Sequence, residues 1–289
     1  MDTKFDRAVE DLGNAVHLEH VNLRVPDQQL ATLFYVTGLG LTRDPYLNTG
    51  TTNMWINVGR SQFHLPTGKP QLLRGHVGIV VPDRQALLRG LAMARSGLRG
   101  TRFEFREQNE YVEAVSPWGN RVRCYAPQAR FGRVRLGIAY VEFDVPAGTA
   151  EGIARFYRDI IETPAETGEG GTVTRVAVGP DQELIFRETD RALEPFDGHH
   201  VQIYLADFSG PYRRLLERSL ISQEDDQHQY RFIDIVDPES GKTLYSLEHE
   251  VRSLRHPMYA RPLVNRNPRQ TPQGYLPGHD EMAWAEATQ

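Results

Sequence analysis

The chain repeats one eight-residue pattern four times, at intervals of 56, 64 and 60 residues. The copies are HVNLRVPD from His20, HVGIVVPD from His76, YVEFDVPA from Tyr140 and HVQIYLAD from His200. Apolar and polar residues alternate in each copy, which predicts a half-buried β-strand. A repeat of this kind, at nearly constant spacing, indicates that the chain is built from four copies of one structural unit.

Each octad is followed by a helical stretch and then by several short strand-like runs. In the first copy Leu30, Leu33 and Phe34 have the spacing of an amphipathic helix, and the runs NMWINVG and SQFHLP follow. The sequence therefore predicts an α+β fold made of four βαβββ modules. The apolar face of each sheet should pack on a helix, which leaves the polar face for solvent or for a cavity.

One module of about 60 residues is too small to bury its sheet well, so we expect modules to pair. Pairing in chain order predicts two half-barrel domains, residues 15–128 and 135–252, joined by the segment PQARFGRVR. Residues 253–289 contain five prolines and predict an extended C-terminal arm. The apolar residues of the arm, which include Trp284, predict that it lies on the globule or on a second subunit of a homodimer.

Charge and composition narrow the class of function. The formal net charge is −5, which gives no electrostatic reason to expect nucleic acid or an anionic membrane as partner. No apolar run approaches the roughly 18–20 residues of a membrane helix, and the N-terminus lacks the pattern of a signal peptide. Cys124 is the single cysteine, which suits a reducing compartment, so we expect a cytoplasmic protein.

The fourfold pattern resembles the vicinal oxygen chelate superfamily, which includes glyoxalase I, bleomycin-resistance proteins and extradiol dioxygenases. Besides the octads, the resemblance rests on FYVTGLGL at 34–41, SPWGNRVR at 116–123 and DPESGKTLY at 237–245. It covers about 230 residues. The resemblance implies that two modules curl around one site.

The resemblance also implies where metal ligands lie, namely at the first residue of the first strand and on the last strand of each module. The first-strand positions are His20, His76, Tyr140 and His200. The last-strand positions are His64, Arg123, Phe186 and Tyr245, with Leu244 in place of Tyr245 if Ser240 is not an insertion. The N-terminal half then offers His20, His64 and His76 as ligands. Three imidazoles suit Fe²⁺, Zn²⁺, Ni²⁺ or Co²⁺, and do not suit Mg²⁺ or Ca²⁺.

Two features of this assignment stay open at the level of sequence. Some four-module relatives pair the first module with the fourth, and that pairing would replace His76 by His200 beside His20 and His64. Arg123 stands where a glutamate ligand is usual in the superfamily. We expect Arg123 to act on the substrate instead, by pairing with a carboxylate or phenolate.

Further candidates for substrate binding lie on the polar strand faces; they are Asn22, His200 and Tyr245. The resemblance implies a metal-dependent dioxygenase, isomerase or lyase that acts on a small oxygen-rich substrate, anionic or aromatic. The alternative is a metal-free protein that binds or sequesters a small molecule, as bleomycin-resistance proteins do. The metal content of the purified protein distinguishes these two hypotheses.

Overall fold

The computed structural model describes residues 5–48 and 50–279, and the four βαβββ modules are all present in it. Module one comprises β1 (Ala15–Asn22), α1 (Gln28–Ala31, continued by a π-helix at Thr32–Gly38), β2 (Thr42–Arg43), β3 (Asn53–Val58) and β4 (Ser61–Pro66). Module two comprises β5 (Gly75–Val80), α2 (Arg84–Ala94), β6 (Glu104–Glu107), β7 (Tyr111–Val115) and β8 (Arg121–Tyr125). Module three comprises β9 (Gly137–Pro146), α3 (Ala150–Phe156, continued by a π-helix at Tyr157–Ile161), β10 (Ala165–Gly168), β11 (Val173–Gly179) and β12 (Gln182–Thr189). Module four comprises β13 (His200–Leu205), α4 (Ser209–Glu217), β14 (Ile221–Asp226), β15 (Gln229–Val236) and β16 (Thr243–Ser253).

In modules one and two, the last residue of the octad explains why the strand is followed directly by a helix. Asp27 accepts hydrogen bonds from the backbone N–H groups of Gln29 and Leu30, and Asp83 accepts one from Ala86. An aspartate at this position satisfies N–H groups that have no partner within the helix. In these two modules the octad is thus a strand that ends in a helix cap.

The strands form two eight-stranded sheets, and each sheet combines two modules. The first sheet has the order β14-β15-β16-β13-β1-β4-β3-β2, and the second has the order β10-β11-β12-β9-β5-β8-β7-β6. Modules one and four therefore share the first sheet, and modules two and three share the second. The expected pairing in chain order is wrong, since neither 15–128 nor 135–252 forms a sheet of its own. The predicted α+β class and the βαβββ modules are confirmed.

Modules one and two meet through their helices instead. The π-helix of module one packs on α2, where a Cβ atom added at Gly90 would lie 2.6 Å from the carbonyl oxygen of Gly38. A larger residue at Gly90 would force the two helices apart. The core lies between these helices and the apolar strand faces, and it includes Val21, Val77 and Val141 of the octads. Modules one and two are therefore neighbours in space through their helices and not through a shared sheet.

The C-terminal arm lies on the first sheet up to His279. The Asn265 side chain accepts a hydrogen bond from the Gly59 N–H and donates one to the Gly59 carbonyl, and Arg261 pairs with Asp44 at 2.7 Å. The described part of the arm thus packs on the globule; Trp284 lies outside the described residues. No described helix is long and apolar enough to cross a membrane.

Candidate metal centre

Three histidines meet at the middle of the first sheet. Asn22 of β1 pairs in register with His200 of β13 on one side and with His64 of β4 on the other. Since His20 lies two residues before Asn22, the side chains of all three histidines lie on the same face of the sheet. One ring nitrogen of each histidine lies within 4.8 Å of the others. Two predicted ligands, His20 and His64, are thus brought together with His200.

The three rings are enclosed, and one nitrogen of each is left without a hydrogen bond. His20 is fully buried, His200 is 7% exposed, and the Nε2 atoms of His20, His64 and His200 have no hydrogen-bond partner among the described residues. A buried polar atom without a partner is costly, and native structures rarely leave one. Three such atoms converging on one point indicate a binding site for a group that accepts nitrogen lone pairs.

Carboxylates set the orientation of two of the rings. Glu19 Oε2 lies 3.2 Å from His20 Nδ1 and also accepts a hydrogen bond from Arg252. Glu248 Oε1 lies 3.4 Å from His200 Nδ1. An acceptor at Nδ1 keeps the proton there and leaves Nε2 with its lone pair, which is the arrangement found around metal-bound histidines.

A fourth potential ligand, Glu250, was missed by the sequence analysis. Gln202 pairs in register with Glu250, just as Asn22 pairs with His64 in module one, so Glu250 is the module-four equivalent of His64. Its Oε2 lies 3.5 Å from His200 Nε2, and its side chain also contacts Arg231 and Arg252. Glu250 thus places a carboxylate beside the three histidines, from a different module than Arg123.

The charges around the cluster favour neutral histidines beside an ionised carboxylate. Burial lowers the pKa of His64 to about 2, and burial also holds the pKa of His20 well below its usual value. Burial by itself would raise the pKa of the Glu250 carboxyl. The close contact with His200, 3.5 Å away, and nearby charges such as that of Arg252 outweigh burial, so the pKa of Glu250 lies well below its usual value. Neutral imidazole and ionised carboxylate are the forms that bind metal ions.

This donor set fits a divalent transition metal. Three imidazoles and one carboxylate are typical ligands of Zn²⁺, Fe²⁺, Ni²⁺ and Co²⁺, whereas Mg²⁺ and Ca²⁺ prefer oxygen ligands only. Trp55 stacks on His64 at 3.9 Å between ring centroids and restricts the orientation of that ring.

The second sheet places a different group of side chains at the same four positions. Gly78 of β5 pairs with Arg123 of β8 and with Tyr140 of β9, and His76 lies two residues before Gly78. His76 Nε2 lies 3.0 Å from the Tyr140 hydroxyl, so it is not left without a partner. His76 therefore does not lie beside His20 and His64. The prediction that His76 is the third histidine of that set is wrong, and His200 lies there instead.

The other predicted site residues also lie away from the three histidines. Arg123 pairs with Glu113 at 3.3 Å in the second sheet, so the expectation that it acts beside the metal is not supported by its position. Tyr245 is buried in the core against Phe143 and Phe186, with Arg74 over its ring, and Phe186 is itself fully buried in the core. Asn22 alone of the predicted substrate-binding residues, besides His200, lies beside the cluster.

No protein-family model matches the chain, and no curated protein matches it in sequence. Solved structures do match in fold. A putative dioxygenase from Bacillus subtilis is 14% identical, with 85% of this chain and 87% of that chain covered and a TM-score of 0.55. Glyoxalase I from Zea mays is 13% identical, with 82% and 92% covered and the same TM-score of 0.55. The chain therefore shares the fold of glyoxalase I and of the putative dioxygenase, which is the fold that the resemblance of its four octads implied.

Proposed function

We propose that the protein is a metal-dependent enzyme of the vicinal oxygen chelate type, with a divalent transition metal held by His20, His64, His200 and Glu250. The observation that carries the proposal is the convergence of three buried Nε2 atoms without hydrogen-bond partners. The fold likeness to glyoxalase I and to a putative dioxygenase supports the reaction class: dioxygenase, isomerase or lyase chemistry on a small oxygen-rich substrate.

A bound divalent metal would supply a Lewis acid for two adjacent substrate oxygens. The surrounding residues prepare the site for that ion. Glu19 and Glu248 hold the rings of His20 and His200 through Nδ1, and Glu250 adds one negative charge. Arg231 and Arg252 contact the glutamates and so limit the negative charge that this face carries.

Two amide side chains are placed to orient the substrate. Asn22 and Gln202 lie on the same face as the histidines, because Asn22 pairs with His200 and Gln202 pairs with His20. Asn22 Oδ1 and both polar atoms of Gln202 are buried without a hydrogen-bond partner in the described chain. We assign these amides to hydrogen bonds with the substrate, which would satisfy them.

The test is the metal content of the full chain, purified without added metal and then reconstituted anaerobically with Fe²⁺, Zn²⁺, Ni²⁺ or Co²⁺. We expect about one equivalent of at least one ion by elemental analysis. For Co²⁺ we expect a visible spectrum typical of nitrogen and oxygen ligands. Protein that takes up none of the four ions would contradict the proposal and support the metal-free binding protein. The homodimer and the cytoplasmic location stay predictions.

A further inference from the structure

A cavity of about 800 Å³ lies between the C-terminal arm and one end of the first sheet. One wall is the arm at 258–265, and the other includes Val16, His17 and Glu19 of β1 and Tyr204 of β13. The volume falls within the roughly 300–1,000 Å³ that is usual for small-molecule sites. The cavity is separate from the candidate metal centre, since His20, His64, His200 and Glu250 do not line it.

Large apolar side chains are exposed in this cavity. Four side chains that the fold leaves at least a third exposed line its walls: Leu12, Tyr46, Tyr259 and Val264. Scattered exposed apolar residues are normal on a protein surface, but a group of them around one concavity marks a binding site. Burial of this apolar surface would favour the binding of a ligand.

The aromatic rings in the cavity favour a flat ligand. The rings of Tyr204 and Tyr259 meet edge to face with centroids 4.9 Å apart, and the His17 ring is stacked against Tyr204 with centroids 6.2 Å apart. One ring thus comes from the arm and two come from the sheet. Aromatic rings interact best with another ring in stacked or edge-to-face geometry.

The charged groups that line the cavity already have partners. Arg261 pairs with Asp44, and Glu19 pairs with Arg252 at 2.9 Å. Both ring nitrogens of His17 lie 3.0 Å from an oxygen, one on Gln182 and one on Arg60, and the Arg60 side chain has an interaction of its own. A charged ligand would lose its hydration without gaining a free counter-charge. The lining therefore favours a neutral ligand.

We propose that this cavity is a binding site for a small neutral aromatic molecule, with the C-terminal arm as one wall. The site goes beyond the proposed enzyme activity, because it uses none of the four metal ligands and exists without a metal.

The test is a fluorescence titration of the full-length, metal-free protein with 2-naphthol, which is neutral at pH 7. We expect saturable binding of about one equivalent. Tyr259→Ala, which removes the arm's ring, should weaken binding at least about fivefold. Leu263→Trp, which fills part of the cavity, should weaken it independently. His64→Ala should leave binding unchanged, which separates this site from the metal centre.

Two matched controls locate the bound probe. Tyr275 belongs to the same arm but is 85% exposed outside the cavity, and Tyr212 lines a smaller aromatic pocket of about 230 Å³. Tyr275→Ala and Tyr212→Ala should bind 2-naphthol as the parent protein does. The anion 2-naphthoate should bind at least about tenfold more weakly than 2-naphthol. Equal affinity in Tyr259→Ala and the parent protein, loss of binding in a control variant, or preference for the anion would each overturn the proposal.

Discussion

The two sheets have the same strand arrangement and pairing register, yet opposite chemistry at their centres. In the first sheet four equivalent positions hold His20, His64, His200 and Glu250, and in the second they hold His76, Arg123, Tyr140 and Ile185. The first group leaves buried nitrogens without partners, whereas in the second His76 and Tyr140 are bonded to each other. The comparison teaches that the apolar faces determine the fold, while a few side chains on the polar face determine whether a site exists.

One pair of equivalent positions shows how side chains of the protein fill the space at the middle of the second sheet. Asn22 of the first sheet corresponds to Gly78 of the second, and a Cβ atom at Gly78 would lie 2.0 Å from the Tyr140 ring. The missing side chain lets the Tyr140 ring lie over the backbone of β5. Tyr140 then bonds to His76 and to Tyr125, whose hydroxyl is 2.8 Å away. Space and hydrogen bonds that a ligand would use are taken up by the protein itself.

The sharpest test of this contrast removes equivalent histidines from the two sheets. His200→Ala should reduce metal affinity at least about a hundredfold, because even changes behind the ligands cost about 10–100-fold. The matched variant His76→Ala should retain the metal, since its ring lies in the other sheet. Metal affinity is measured by competition with a chelator. Loss of metal in His76→Ala with retention in His200→Ala would reverse the assignment.

A second test concerns Glu250, a carboxylate of the first sheet that has no counterpart at the middle of the second sheet. Glu250→Gln should weaken metal binding about tenfold, because the charge is lost while an amide oxygen remains. Glu113→Gln, which disturbs the Arg123 ion pair at the equivalent place in the second sheet, is the control and should retain full affinity. Equal affinities in the two variants would show that Glu250 does not bind the metal.

The sequence predicted much of this arrangement and missed two parts of it. Alternation in the octads correctly predicted the four first strands and placed His20, His76, Tyr140 and His200 at equivalent positions. The pairing of modules could not be predicted, because all four octads have the same alternating apolar face and any two could form a sheet.

Glu250 was missed because of the length of one strand. Counting from the turn at Asp237 placed the module-four ligand at Tyr245, but β16 extends over Thr243–Ser253, whereas β8 covers only Arg121–Tyr125. The β15–β16 pair also has two register shifts. Residue counting from a turn fails when a strand is longer or irregular. The pairing register of β13 with β16 identifies Glu250 directly.

A third prediction tests whether the bonded side chains at the middle of the second sheet stabilise the fold instead of binding a ligand. Tyr140→Phe removes the hydroxyl that joins His76 and Tyr125, and it leaves buried polar atoms without a partner. We expect a loss of about 1–3 kcal/mol in the free energy of unfolding, measured by urea denaturation, with unchanged metal content. Tyr125→Phe and the double variant complete a cycle, and strictly additive losses would show that the two hydroxyls are not coupled.

The last expected effect is a change in the pH dependence of stability. Burial, together with the charges of Arg123 and Arg121, lowers the pKa of His76 to about 3. The unfolded state therefore binds one more proton than the folded state between about pH 6.5 and pH 3, and stability falls as the pH falls through that range. His76→Gln should remove up to one proton from this difference, which flattens the dependence by at most about 1.4 kcal/mol per pH unit.

Urea denaturation at several pH values between 7 and 4 measures the slope. Arg123→Gln should flatten it less, because burial, the larger cause of the lowered pKa, remains. A slope in His76→Gln equal to that of the parent protein would mean that another group dominates the acid sensitivity of the second sheet.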